Sequence, residues 1–202
     1  MEQWQNTITL RGVLPALPEF SHENHGRRFY RFDLEVERLS GALDTLPVMA
    51  QLETLETLDL SGGSKLRVEG QIRSHNFSDE TGRHLLVYVH AAEIAAEEGP
   101  AVNEVRLRGA VCREPTYRRT PLGREICDMM LAVPRGYRRA DYLPCILWGR
   151  TAQQASACHP RDEVEIDGRM QSRIYSKYSD SGFIERTAYE ISALSARIGQ
   201  NA

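Results

Sequence analysis

The sequence predicts an all-β protein built as two tandem copies of one small barrel, and three features predict it. The chain matches itself at an offset of about 97 residues. Within each copy, apolar and polar side chains alternate with the period of two that marks a half-buried strand. Only one short segment per copy carries a helical pattern. A chain of 202 residues has room for two domains of about 100. Its 41% hydrophobic and 26% charged residues are ordinary for a globular protein. No apolar run approaches the roughly 20 residues that cross a bilayer, so no membrane partner is expected. The first six residues lack the basic start and apolar middle of a secretion signal, which leaves a cytoplasmic location as the expectation.

The repeat sets the domain organisation. Asn6-Thr-Ile-Thr-Leu-Arg-Gly12 matches Asn103-Glu-Val-Arg-Leu-Arg-Gly109 at an offset of 97. The same offset carries Pro18 onto Pro115, Gly26 onto Gly123, Leu34 onto Leu131 and Pro47 onto Pro144. At an offset of 98, Leu66, Val68, Gly70 and Ile72 meet Val164, Ile166, Gly168 and Met170. The last strand, 85–91, pairs with 185–191 at an offset of 100. The domains are therefore read as 1–97 and 98–202, joined near Glu97-Glu98-Gly99-Pro100.

Each copy reads as five strands. The first turns Ile8 and Leu10, or Val105 and Leu107, inward. A connection bearing Pro and Gly leads to a second strand with Phe32, Leu34 and Val36, or Met129, Leu131 and Val133, in the core. Its outward residues in the first copy, Arg31, Asp33, Glu35 and Glu37, are all charged. The third strand surrounds Pro47 or Pro144, and a short helix follows over 52–60 or 151–157. Two final strands form a hairpin with Gly82 or Gly182 in its turn. A helix between strands 3 and 4 of a five-stranded Greek-key barrel is the order of the OB-fold, so the expected architecture is two tandem OB-folds. Gly12, Gly70, Gly109 and Gly168 fit sharp bends in barrel strands.

The copies differ in charge. Residues 1–100 hold 9 Lys+Arg and 16 Asp+Glu, a balance of −7, whereas 101–202 hold 16 and 12, a balance of +4. Such asymmetry points to a polyanion meeting the second half. The informative stretch there is Asp141-Tyr-Leu-Pro-Cys-Ile-Leu-Trp-Gly-Arg150. Strand parity sends Leu143, Cys145 and Leu147 to the core and Tyr142, Ile146 and Trp148 to the other face. The same parity on 164–175 takes Val164, Ile166 and Met170 inward and Arg169, Gln171, Arg173 and Tyr175 outward. Rim loops add Tyr117, Arg118, Arg119, Arg124, Arg135, Tyr137, Arg138, Arg139, Lys177 and Tyr178, and Arg150 follows the third strand. Guanidinium groups neutralise phosphates and flat rings accept unpaired bases, so the composition suits single-stranded nucleic acid.

These residues also carry a resemblance. The second copy resembles the bacterial single-stranded DNA-binding protein family over 103–195. It does so through Asn103–Gly109 with Pro115, Thr120-Pro-Leu-Gly123, Leu131-Ala-Val133, Asp141–Arg150 with Ala152, and Asp167-Gly-Arg-Met-Gln-Ser-Arg173 with Arg186–Glu190. The resemblance implies a non-enzymatic, sequence-independent single-stranded DNA binder serving replication, recombination or repair at the nucleoid. It assigns base stacking to Tyr137, Tyr142, Trp148 and Tyr175. Family assemblies use four OB-folds, so a homodimer is expected here. Family members usually continue into a Gly/Pro/Gln-rich tail whose acidic end recruits other enzymes. This sequence stops at Gly199-Gln-Asn-Ala202, so replication or repair proteins as partners are expected from the resemblance and not from such a tail.

In the first copy Thr45 and Gln51 stand where the second has Tyr142 and Trp148, and Phe77 alone keeps a ring, at the place of Tyr175. That copy reads as a scaffold, with weak DNA contact or protein docking as the alternative. His22-Glu-Asn-His25 lacks a third ligand, and Gly62-Gly63-Ser64-Lys65 lacks the spacing of a phosphate loop. Cys112, Cys127, Cys145 and Cys158 form no Cys-x-x-Cys pair and read as reduced structural thiols. Tyr189 reads as a core residue alternating with Thr187 and Ile191. No catalytic set, cofactor or metal is expected. Competing readings are an OB-fold protein-interaction module of primosome type and an RNA binder using the same surface.

Overall fold

Alternating strands fold as their pattern requires, and the computed structural model describes them over residues 5–79, 82–179 and 182–199. The first copy contains β1 (Asn6–Val13), β2 (Glu19–Asn24), β3 (Arg27–Glu37), β4 (Leu43–Gln51), α1 (Leu52–Leu55), β5 (Lys65–Asp79) and β6 (Gly82–Ala96). The second contains β7 (Val102–Val111), β8 (Thr116–Arg119), β9 (Glu125–Arg135), β10 (Arg139–Trp148), α2 (Gly149–Ala155), β11 (Glu163–Ser179) and β12 (Gly182–Gly199). The first barrel runs β3-β4-β6-β5-β1 and closes where Val13 of β1 meets Glu35 of β3. The second runs β9-β10-β12-β11-β7 and closes through Ala110 and Val111 against β9. The strands after each helix return parallel, β4 beside β6 and β10 beside β12. Both barrels thus have the OB topology.

The inward residues read from parity are buried in both copies, among them Leu10, Leu34, Leu107, Leu131, Leu143 and Leu147. Closure needs glycine: a Cβ on Gly12 would lie 2.3 Å from the Glu35 carbonyl oxygen of the strand it meets. Register shifts fall at Glu69/Gly70 and Asp167/Gly168. The extra residue is on the partner strand (Ala92 or Leu194), so β5 and β11 keep their alternation.

Three expectations are corrected. Among the described residues each copy has six strands, because the connection after the first strand folds back as β2 or β8 onto its neighbour. In the first copy it turns through His25 (φ 51°) and Gly26 (φ 74°), the paired positive angles of a tight hairpin. Its side chains are mostly exposed, so no alternation marked it. The helix over 52–60 is one turn, Leu52–Leu55, since only Leu55 of it reaches the core. The last strands correspond at an offset of 102, not 100: Ile72 pairs with Val89, and Met170 with Ile191. The second hairpin has lengthened by four residues, an even number that leaves every inside–outside assignment intact. Tyr189 packs against the core, while its neighbour Thr187 is exposed.

The copies join into one twelve-stranded sheet through β1 and β7, antiparallel with Ile8 opposite Val105. Those two residues are equivalent in the repeat, so the pairing has approximate two-fold symmetry. The repeated asparagines start the strands for a reason. Asn6 bonds both the N–H and carbonyl of Ile72 (2.9 and 2.8 Å), and Asn103 does the same to Met170 (2.9 and 2.7 Å).

Two carboxylates lock the copies. Asp44, with no exposed side-chain surface, accepts from Arg38 Nε at 2.6 Å and from the Ser172 N–H of the other copy at 2.7 Å. Its equivalent Asp141, equally buried, accepts from Arg135 at 3.3 Å and across the boundary from Arg73 at 3.0 Å and the Ser74 N–H at 2.9 Å. Burial pushes the Asp44 carboxyl up, but the bonds from Arg38 and Ser172 outweigh it and leave it below its ordinary value. A depressed carboxylate stabilises the fold above its unfolded pKa and loses that contribution as pH falls through the folded one. Asp44→Ala should therefore cost about 3–5 kcal/mol in urea denaturation at neutral pH, where it strands Arg38. The difference from wild type should shrink as the pH is lowered below the ordinary carboxylate range.

Candidate nucleic-acid interface

Cross-strand pairing assembles the outer face of the second barrel. Trp148 lies opposite Ile126, Ile146 opposite Asp128, and Tyr142 opposite Ala132. Ile146 then neighbours Ser192 of β12, which lies opposite Arg169 of β11. Next along this ladder come Glu190 with Gln171, Ala188 with Arg173, and Arg186 with Tyr175. On the far edge Arg118 of β8 lies opposite Ile126. Residues from five strands thus share one wall, on the side away from the core.

The rings are where parity placed them. Tyr142 is 44% exposed and Tyr175 37%. Trp148 is half-buried, and its indole N–H donates to Ser192 Oγ at 3.1 Å, which ties the ring to β12. The Arg173 guanidinium lies 5.7 Å from the centre of the Tyr175 ring. Tyr137, 99% exposed, sits with Arg138 at the β9–β10 turn, both at positive φ (61° and 55°). That backbone, rare for such residues, throws both side chains into solvent. The wall also has a floor that sequence reasoning missed. Ile126 and Ile146 are buried yet stand apart from the core cluster. Parity had already sent Ile146 outward, and the pairing sets it between Asp128 and Ser192 on the face that carries Trp148.

The arginines divide into two groups. Arg124, Arg138 and Arg150 are exposed and make no ion pair among the described residues. Others are engaged by carboxylates: Arg118 with Asp128 (2.7 Å), Arg119 with Glu125 (3.0 Å) and Arg173 with Glu190 (3.7 Å). The bond from Asp128 raises the Arg118 pKa further. Arg135, expected on the rim, is committed to buried Asp141 at the boundary between copies. Arg169 is half-buried, with an Nε that finds no partner among the described residues. Gln171 donates to Glu190 at 2.8 Å and is buried. The side chains of Lys177 and Tyr178 lie outside the described residues. Cys127, Cys145 and Cys158 are buried, and desolvation pushes the Cys127 thiol up to about 11, so none offers a thiolate. His22 is in contact with Phe29 and Ser21, and no group of three metal-ligating side chains occurs among the described residues. None of the helices there is long and apolar enough to cross a membrane.

Comparison with known proteins bears on the same half. The profile of the single-strand binding protein family matches residues 102–198. Single-stranded DNA-binding protein B of Bacillus subtilis is 34% identical over 80 residues, 36% of this chain and 71% of that protein. Single-stranded DNA-binding protein 2 of Listeria innocua is 33% identical over 81 residues, 37% of this chain and 51% of that protein. This match thus spans about half of the Listeria protein. In fold, the whole chain superposes on the wild-type single-stranded DNA binding protein from Thermus aquaticus with a TM-score of 0.80 at 23% identity, covering 100% of this chain and 96% of that one.

The indole bond can be tested alone. Trp148→Phe keeps a ring but strands the buried Ser192 hydroxyl, and should lower stability by about 1 kcal/mol in urea denaturation.

Proposed function

Because the chain belongs to the single-strand binding protein family, we propose that it binds single-stranded DNA without regard to sequence, on the outer wall of its second copy. One observation carries the reading: Tyr142, Trp148 and Tyr175 share one outer face, where Ile126 and Ile146 near Trp148 are buried without being part of the core. The exposed arginines 124, 138 and 150 attract the phosphate backbone at long range. Arg118 and Arg173 then exchange Asp128 and Glu190 for phosphate, and bases settle onto the rings. No bond is made or broken, so the chain acts as a binder and not as an enzyme. Two chains would supply four OB-folds, and we read the working unit as a homodimer. Light scattering at micromolar concentration should give twice 22.9 kDa.

Trp148→Ala and Tyr175→Ala should each weaken oligo-dT binding by about 1–3 kcal/mol while the fold survives. Wild-type Trp148 fluorescence should be quenched on binding. Log affinity should fall with log salt at a slope of roughly −0.7 per neutralised phosphate. Asp128→Asn should move affinity the other way: freeing Arg118 and removing a charge that repels phosphate should tighten binding modestly, by about 0.2–1 kcal/mol. Weakening in that variant, or equal affinity for a protein-only ligand with no quenching, would count against the wall as a DNA site.

A further inference from the structure

The outer face of the first copy departs from that of the second along one strip, and the departure changes its charge. On the second wall Ala132 lies opposite Tyr142, between Met130 and Pro134 on the same face of β9. The equivalent residues of β3 are Asp33, Glu35 and Glu37, opposite Pro47, Thr45 and Leu43. Asp33 and Glu37 are exposed, and none of the three acids makes an ion pair among the described residues. Alternate residues of a strand stand about 6.7 Å apart, so the three acids form an evenly spaced row.

At the Asp33 end of this row opens a cleft of about 400 Å³, within the size range of ligand pockets. Leu17, Pro47, Met49 and Leu86 supply apolar lining, and Leu17 and Leu86 are 57% and 36% exposed. The charged lining is Glu19, Arg31 and Asp33, with Arg31 held by Glu19 at 3.2 Å. With Glu35 and Glu37 counted, one base stands against four acids. At the far margin Tyr88 lies near Arg73 and Arg135, both of which buried Asp141 holds. A phosphate strand laid along the row meets like charge, and so does a second copy presenting the same strip. A cationic chain meets its complement.

We propose that this face docks an extended basic peptide segment of a partner protein. One large apolar side chain fills the cleft, and Lys or Arg at every second position after it faces Asp33, Glu35 and Glu37. The spacing selects the extended form, because an extended chain repeats at the same roughly 6.7 Å per two residues. The surface lies on the other barrel from the DNA wall, so the two readings stand or fall separately.

The probes are two labelled, end-blocked heptapeptides, one in each chain direction. Each carries leucine at one end, lysine at every second position after it and serine between; a version with glutamate for lysine is the control. Fluorescence anisotropy with the full chain should show saturable binding of a lysine peptide and none of the glutamate version. Asp33→Asn combined with Glu37→Gln should weaken the lysine peptide roughly 2- to 30-fold, the worth of two exposed ion pairs. Leu17→Ser and Leu86→Ser should each weaken it at least about fourfold, the worth of one buried methylene. Charge reversal, Asp33→Lys with Glu37→Lys, should transfer binding to the glutamate peptide, a gain that misfolding cannot mimic. Lysine-peptide affinity unchanged by all these variants, or equal affinity for the glutamate version with wild type, overturns the site. Two other occupants would also overturn it. Oligo-dT affinity that falls in the leucine variants would make the strip a nucleic-acid surface. A halved mass in light scattering of those variants would make it a contact between copies.

Discussion

Two buried carboxylates govern how the halves of this chain stand to one another. A carboxylate out of contact with water must be paired and hydrogen-bonded, or it costs several kcal/mol. Asp44 and Asp141 each meet that demand with an arginine of their own barrel and a backbone N–H of the other. Neither barrel alone could satisfy its aspartate. The bonds are short-range and directional, so they admit one relative placement, and the β1–β7 ladder reinforces it. The Tyr142 backbone N–H donates to Ser74 Oγ in the same contact, so the strand that bears this ring is anchored on the first copy.

That placement divides the basic residues. Arg38, Arg73 and Arg135 serve the lock, while Arg124, Arg138 and Arg150 stay free for a polyanion. Between them stand Arg118 and Arg173, held by Asp128 and Glu190. In the proposed complex phosphate would replace those carboxylates with little net gain in Coulomb energy, which would leave much of the remaining affinity to stacking on the rings. A strand held in that way would be released as ionic strength rises.

Duplication explains the distribution of rings. The two walls keep the same strand order, pairing and bulge, but Trp148 and Phe29 occupy opposite members of an equivalent cross-strand pair. Either strand can present a ring to the same patch of surface, because paired residues share a face. A wall can therefore keep its rings while losing the positions by which it would be recognised.

Much of the architecture was legible from the sequence. Period-two alternation is a property of one strand, so it identified the core residues and the outward set of Tyr142, Trp148 and Tyr175 without knowledge of neighbours. The repeat revealed the duplicated barrel because equivalent positions meet equivalent packing demands. What the sequence could not disclose was adjacency across strands and across the two copies. The exposed strands β2 and β8 carry no alternation, and an even insertion in the last hairpin left parity silent about the change in offset. Only the folded chain brings Arg73 to Asp141, Phe29 to His90, and Ile126 opposite Trp148. Those contacts join residues distant along the chain, and their partners are chosen by register and burial and not by local pattern.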